Sequence, residues 1–182
     1  MMEKKKDIIF LTGFMGAGKS TIGPILANTL GWDFYDLDKV IEEVMGEKIK
    51  DIFERKGEKY FREIEGKILK EISDGNEIVI SLGGGTAANH KNLDLIKRTG
   101  KIIYLKSSPE ATYHRLKYKR DRPALFKSDN DESTKEDLMK KIQKLYDSRK
   151  QFYEKADFVV DTDDIPVGIT VDEIVKLIQR NK

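Results

Sequence analysis

A chain of 182 residues is long enough for a sizeable core and is expected to form one domain over 1–182. Its 34 basic and 32 acidic residues leave a net charge of only +2, which gives no reason to invoke nucleic acid or a membrane surface as partner. The absence of cysteine excludes a disulfide framework and thiol chemistry. With no signal peptide read at the start and no bilayer-length apolar run, a cytoplasmic chain is expected.

Asp7-Ile8-Ile9-Phe10-Leu11-Thr12 predicts a buried strand. It runs into a glycine-rich turn, after which Ile22, Ile25, Leu26, Thr29 and Leu30 recur at helical spacing. Trp32 to Asp36 reads as a short strand ending in carboxylates. Val40, Ile41 and Val44 then mark a helix stopping at Gly46. Ile49, Ile52 and Phe53 line a shorter helix closed by Gly57. A longer one follows, with Phe61, Ile64, Ile68, Leu69 and Ile72 on one face. Ile78 to Leu82 is the third strand, delivering Gly83-Gly84-Gly85, and a helix around Leu93 to Lys97 leads to the fourth, Lys101 to Leu105.

Ser108, Pro109 and Glu110 supply a capping hydroxyl, a proline at the first helical position and an acid in the first turn. The stretch 119–132 is polar and has no apolar period. Ser133 and Glu136 form a candidate capping box for a long helix with Leu138, Ile142, Leu145 and Phe152 on its buried face. Phe158 to Val160 is the last strand, and Thr170 with Glu173 is expected to cap the terminal helix. Five strands alternating with helices imply an α/β fold, a parallel sheet covered on both faces. Ligands of such sheets bind beyond the carboxyl ends of the strands.

The turn after the first strand, Gly13-Phe14-Met15-Gly16-Ala17-Gly18-Lys19-Ser20, fits the phosphate-loop pattern of Gly, four residues, Gly-Lys-Ser/Thr. Its context is a strand before and a helix after, so backbone N–H groups gather at a positive helix end that suits the phosphates of a nucleoside triphosphate. Lys19 can reach the β- and γ-phosphates, and the Ser20 hydroxyl can hold magnesium. Asp36 and Asp38, two residues apart, face one side of an extended chain. One is a natural metal partner and the other a hydrogen-bond acceptor for an alcohol, while Asp38 as a helix cap stays open. Gly83 to Gly85 would let a substrate lie against bare backbone. Arg62, Arg115, Arg120, Arg122 and Arg149 read one by one as surface charge. Arg120 and Arg122 nonetheless sit in the irregular segment, where a mobile arginine lid over a triphosphate is expected. His90 and His114 lack metal-ligand spacing, and Phe53, Phe61 and Tyr153 read as core.

Gly-Phe-Met-Gly-Ala-Gly-Lys-Ser-Thr-Ile-Gly, Asp36-Leu37-Asp38, Ile52-Phe53, Gly57-Glu58, Phe61-Arg62 with Glu65, the triple glycine, Arg122-Pro123 and Arg149 with Tyr153 follow in this order. Over nearly the whole chain this set resembles the shikimate kinase family. The resemblance implies a P-loop kinase fold with a substrate-binding segment at about 36–65 and a lid at about 119–132. It further implies transfer of the ATP γ-phosphoryl group to the 3-hydroxyl of shikimate, a step of aromatic amino-acid synthesis through chorismate, by a monomer using ATP and Mg2+.

By the same resemblance Gly16, Ala17, Gly18, Lys19, Ser20 and Thr21 hold the phosphates, and Ser20 and Asp36 serve the metal, Asp36 through water. Asp38 meets the shikimate hydroxyls; Lys19, Asp38 and Arg122 are the catalytic set. Arg62 and Arg149 bind the carboxylate, Gly83, Gly84 and Gly85 lie beside the ring, and Phe53 and Phe61 form the apolar wall. Glu65 holds the substrate arginine, Arg122 closes over the phosphates, and Arg115 and Pro166 sandwich adenine. The chain departs from the family at Ala124, where leucine is usual, and in an acidic stretch from Leu125 to Glu132.

A gluconate kinase would also use paired arginines; the Phe61-Arg62-Glu65 set with the triple glycine discriminates against it. A non-catalytic nucleotide-dependent regulator is disfavoured by intact Lys19, Ser20, Asp36 and Asp38. A GTPase is disfavoured by the lack of an Asn-Lys-x-Asp motif.

Overall fold

The computed structural model describes residues 7–117, 125 and 134–181. Five strands, β1 (Ile8–Thr12), β2 (Asp33–Asp36), β3 (Ile78–Ser81), β4 (Lys101–Lys106) and β5 (Phe158–Asp161), form one sheet in the order β2-β3-β1-β4-β5. Every pairing is parallel, with Phe10 opposite Ile80 on one side and Ile102 on the other. The helices are α1 (Lys19–Leu30), α2 (Leu37–Met45), α3 (Ile49–Ile72), α4 (His90–Thr99), α5 (Pro109–Leu116), α6 (Lys135–Tyr153) and α7 (Val167–Arg180).

All five residues of β1 are buried, as a central strand covered on both faces requires. Its side chains alternate between two cores. Ile8 and Phe10 join Leu37, Ile41, Phe61, Ile68 and Leu93, whereas Ile9 and Leu11 join Ile22, Leu26, Val171 and Ile174. A third cluster, with Phe14, Tyr104, Leu116, Leu138, Ile142, Tyr146 and Tyr153, lies under the phosphate-loop sequence. The carboxyl end of β1, flanked by β3 and β4, is therefore the place where a ligand can meet both halves of the sheet.

Most helix signals act as expected. Gly57 breaks α3 with a backbone (φ 80°, ψ 168°) that interrupts the helix between its short and long parts. Ser108 Oγ caps α5 through the Ala111 N–H at 3.1 Å, with Pro109 behind it. Four expectations need correction. β2 begins at Asp33 because the Trp32 N–H turns back to Ala27 O at 2.9 Å, closing α1 instead of joining the sheet. The capping box of α6 is Thr134 with Asp137, one residue beyond Ser133 and Glu136; Ser133 lies outside the described residues. The terminal helix starts earlier than Thr170, at Val167 behind Pro166, and the Thr170 hydroxyl bonds back to Pro166 O at 3.4 Å inside the first turn. The buried stripe of α6 runs through Tyr146 and Tyr153, leaving Leu145 and Phe152 half-buried.

Candidate active site

The turn between β1 and α1 is held from below. Phe14 is fully buried and meets the Tyr146 ring edge-on at 5.7 Å, and the Ala17 N–H returns to Phe14 O at 3.2 Å. Gly18 precedes α1 in the left-handed region (φ 94°), a conformation that favours glycine, and no side chain caps the helix. No acid lies in the first turn either, so the positive end of α1 is uncompensated and suits an anion. Lys19 Nζ donates to Gly13 O at 2.8 Å and Phe14 O at 3.1 Å, spanning the loop it would share with phosphate. Ser20 and Thr21 are exposed on the first turn.

The Ser20 hydroxyl donates to Asp36 Oδ2 at 3.2 Å, joining α1 to the end of β2. Asp36 Oδ1 also accepts the Lys39 N–H at 3.4 Å, so Asp36, and not Asp38, caps α2. The cap role left open for Asp38 is thereby corrected. In the first turn of α2, Asp38 Oδ1 comes within 2.8 Å of where a Cβ on Gly83 would stand. Among the described residues no cluster of three or more His, Asp or Glu is placed to hold a metal. The Ser20–Asp36 pair offers two hard oxygen donors, and that set fits a magnesium ion sharing its remaining positions with phosphate and water.

The triple glycine is where distant elements converge. A Cβ at Gly84 would lie 3.0 Å from Arg149 Nη1, 3.9 Å from Tyr153 Oη and 4.0 Å from the Met15 N–H nitrogen. A Cβ at Gly85 would lie 2.7 Å from Arg62 Nη2. Three successive glycines thus face Asp38 from α2, Arg149 from α6 and Arg62 from α3, with the phosphate loop at their edge. Tyr153 donates its hydroxyl to Gly84 O at 2.6 Å and stacks on Tyr104 at 5.2 Å. Burial pushes the Tyr153 phenol up to about 12, although the adjacent Arg149 guanidinium pulls the other way. It stays protonated and keeps its donor at neutral pH.

Arg62 Nη1 donates to both Glu65 oxygens, at 3.0 and 2.9 Å, and its guanidinium lies 5.2 Å from the centre of the Phe61 ring. Phe53 packs on Phe61 at 4.6 Å. On the opposite side Arg115 joins the phosphate loop to the β5–α7 connection. Its Nη1 donates to Gly16 O at 2.9 Å and Ser107 Oγ at 3.0 Å, and its Nη2 to Thr162 O at 2.8 Å. Pro166 is exposed on that connection, at the start of α7. Arg122 and the expected lid at 119–132 lie outside the described residues except Leu125, which is buried in the third cluster.

The reading of Tyr153 as plain core missed its hydroxyl contact with the site. Thr86 and Asn92 were missed altogether, although Thr86 directly follows the triple glycine.

A phosphate-loop sequence on a parallel β2-β3-β1-β4-β5 sheet, with carboxylate and guanidinium groups gathered beside it, defines an ATP-dependent small-molecule kinase of the P-loop class. The chain matches the shikimate kinase family over residues 15–179. It is 44% identical to a shikimate kinase of Chlorobaculum parvum, across 98% of this chain and 95% of that one. It is 45% identical to one of Chlorobaculum tepidum, across 98% and 93%. A shikimate kinase of Acinetobacter baumannii solved in complex with shikimate superposes with a TM-score of 0.88 and 32% identity, across 100% and 97% of the two chains. The Bacteroides thetaiotaomicron enzyme gives 0.87 and 33%, across 94% and 98%. The chain belongs to the shikimate kinase family.

Proposed function

We propose that the chain transfers the γ-phosphoryl group of ATP to the 3-hydroxyl of shikimate, giving ADP and shikimate 3-phosphate. One observation carries this reading: Asp38, Arg149 and Arg62 converge on Gly83, Gly84 and Gly85 within reach of the phosphate loop. That pocket has a carboxylate for an alcohol and two guanidinium groups for an anion. Each guanidinium can pair a carboxylate through a planar fork, a grip that lysine lacks.

Phosphoryl transfer asks little covalent work of the protein, so positioning and charge neutralisation dominate. The loop from Gly16 to Thr21 and the Lys19 ammonium hold the phosphates of ATP. Asp38 accepts a hydrogen bond from the acceptor hydroxyl and holds it in line. Phe53 and Phe61 wall the ring, Arg62 and Arg149 take the carboxylate, and Arg115 and Pro166 flank adenine. Arg122, by its place in the sequence, serves the phosphates. Ser20 and Asp36 would hold Mg2+, which when bound supplies charge neutralisation at the phosphate oxygens. No described helix is long and apolar enough to cross a membrane; a monomer working as one domain in the cytoplasm is the accompanying proposal.

The test is ADP release from MgATP with shikimate, quinate and gluconate in parallel. Shikimate should be turned over far better than the others. Equal turnover of gluconate, or none of shikimate at millimolar concentration, overturns the reading.

A further inference from the structure

Glu65 is the one charged side chain among the described buried residues, at 1% exposure. Arg62 takes both its oxygens from one side. From the other, the Thr86 hydroxyl donates to Oε1 at 2.7 Å and Asn92 Nδ2 approaches Oε2 at 3.4 Å. Asn92 Nδ2 also reaches Thr86 O at 3.4 Å. Thr86 and Asn92 are themselves buried, and the Thr86 N–H closes the glycine turn onto Gly83 O at 3.1 Å. A glycine inside α3, Gly66, makes room for this arrangement: a Cβ there would stand 3.2 Å from Asn92 Oδ1.

A carboxylate withdrawn from water needs its lone pairs filled, and Arg62 alone fills one side. Arg62 and Glu65, three residues apart on α3, would leave the carboxylate free to turn about its last bond. The Thr86 hydroxyl removes that freedom. Thr86 is the next residue after Gly85, over which Arg62 Nη2 lies. One peptide step therefore joins the floor of the acceptor pocket to the anchor of its arginine.

We propose that Thr86, supported by Asn92, is a positioning residue that sets the Arg62 guanidinium against the glycine turn and so governs capture of a carboxylate-bearing acceptor. Its hydroxyl is spent on Glu65 Oε1, so it acts on acceptor KM and leaves the chemical step alone. The inference rests on the reading of Arg62 as a ligand of the substrate carboxylate.

The experiment is steady-state kinetics on the full chain carrying Thr86→Val, Thr86→Ala, Thr86→Ser, Arg62→Lys and the Thr86→Val/Arg62→Lys pair, each checked by thermal melting. Thr86→Val should raise shikimate KM about five- to tenfold, somewhat less than the loss of a direct hydrogen bond to a charged group because it acts through Glu65. ATP KM and kcat should stay within about twofold, Thr86→Ser should restore KM, and the pair should be little worse than Arg62→Lys alone. Thr86→Ala gives the same reading should the valine variant fail to fold. If Arg62→Lys raises shikimate KM while the hydroxyl-free variants do not, the inference fails and the carboxylate reading stands. If Arg62→Lys leaves shikimate KM unchanged, that reading fails and the inference with it. A loss in kcat, or in both substrates alike, makes Thr86 structural and overturns the proposal.

Discussion

The Arg62 guanidinium occupies the space in which a side chain at Gly85 would begin, with Nη2 2.7 Å from the Cβ position. Gly85 has an ordinary backbone (φ −110°), so alanine there disturbs the arginine and not the turn. Glu65 pins Nη1, and the guanidinium cannot step aside without losing that anchor. Gly85→Ala should raise shikimate KM about tenfold, as expected for one charge-assisted hydrogen bond, with ATP KM unchanged. Equal losses for both substrates would place Gly85 in a general role.

Arg149→Lys keeps the charge but loses the planar fork and its fit between Gly84 and the Tyr153 hydroxyl. Shikimate binding should weaken by about 1.5–3 kcal/mol while nucleotide affinity barely moves. A shikimate analogue with its carboxylate reduced to an alcohol should bind wild type poorly and lose little more in the variant, since groups in contact are not additive. Calorimetric titration of the four combinations checks this; simple additivity would refute contact between Arg149 and the carboxylate.

The phosphate loop was legible because its chemistry is local: eight adjacent residues carry the glycines, Lys19 and Ser20. The Glu65 network was not, because Thr86 and Asn92 reach it across 21 and 27 positions, and only the fold brings them there. Ser133-Glu136 and Thr134-Asp137 both carry the capping-box spacing, so local pattern could not choose between them. Tyr146 and Tyr153 continue the stripe of Leu138 and Ile142 at helical spacing. Tyr153 reads as core from sequence, but Tyr146 was passed over because a phenol counts as polar until its hydroxyl finds a partner, here Tyr104 Oη.

Gly23 lies on α1 against β2, and a Cβ there would stand 2.3 Å from Phe34 Cε2. Alanine is the better helix former by about 0.8–1 kcal/mol, whereas overpacking costs about 1–3 kcal/mol. Three atoms of the Phe34 ring lie within 3.1 Å of the new methyl, so the steric cost should win. Gly23→Ala should lower the unfolding free energy by about 1 kcal/mol in urea titration. A more stable variant would show that the ring moves freely.

Asp163 gives the fold an acid-side dependence. Burial pushes its carboxyl up, but the Ser108 N–H at 2.7 Å and the Ser107 hydroxyl at 2.8 Å, with Arg115 nearby, outweigh burial and hold it below the usual carboxylate range. A depressed folded-state value means stability that is full above the unfolded value of about 3.9 and lost as pH falls through the folded one. Asp163→Asn should be less stable than wild type at pH 6, and the gap should narrow as pH falls below the unfolded value of about 3.9. Urea midpoints on either side of that value measure it; a gap that widens in acid contradicts the sign.

The place of β1 between β3 and β4 has a consequence for how the protein is made. A ribosome completes the turn after β1 at Ser20, yet the neighbours of its strand are residues 78–81 and 101–106. At about 5–20 residues per second, several seconds pass in which the four apolar residues of β1 have neither edge paired. The nascent chain is therefore most open to aggregation, and to chaperone capture, before Lys106 emerges. A slow codon run placed just ahead of Ile78 would lengthen that interval, while one placed after β4 would not.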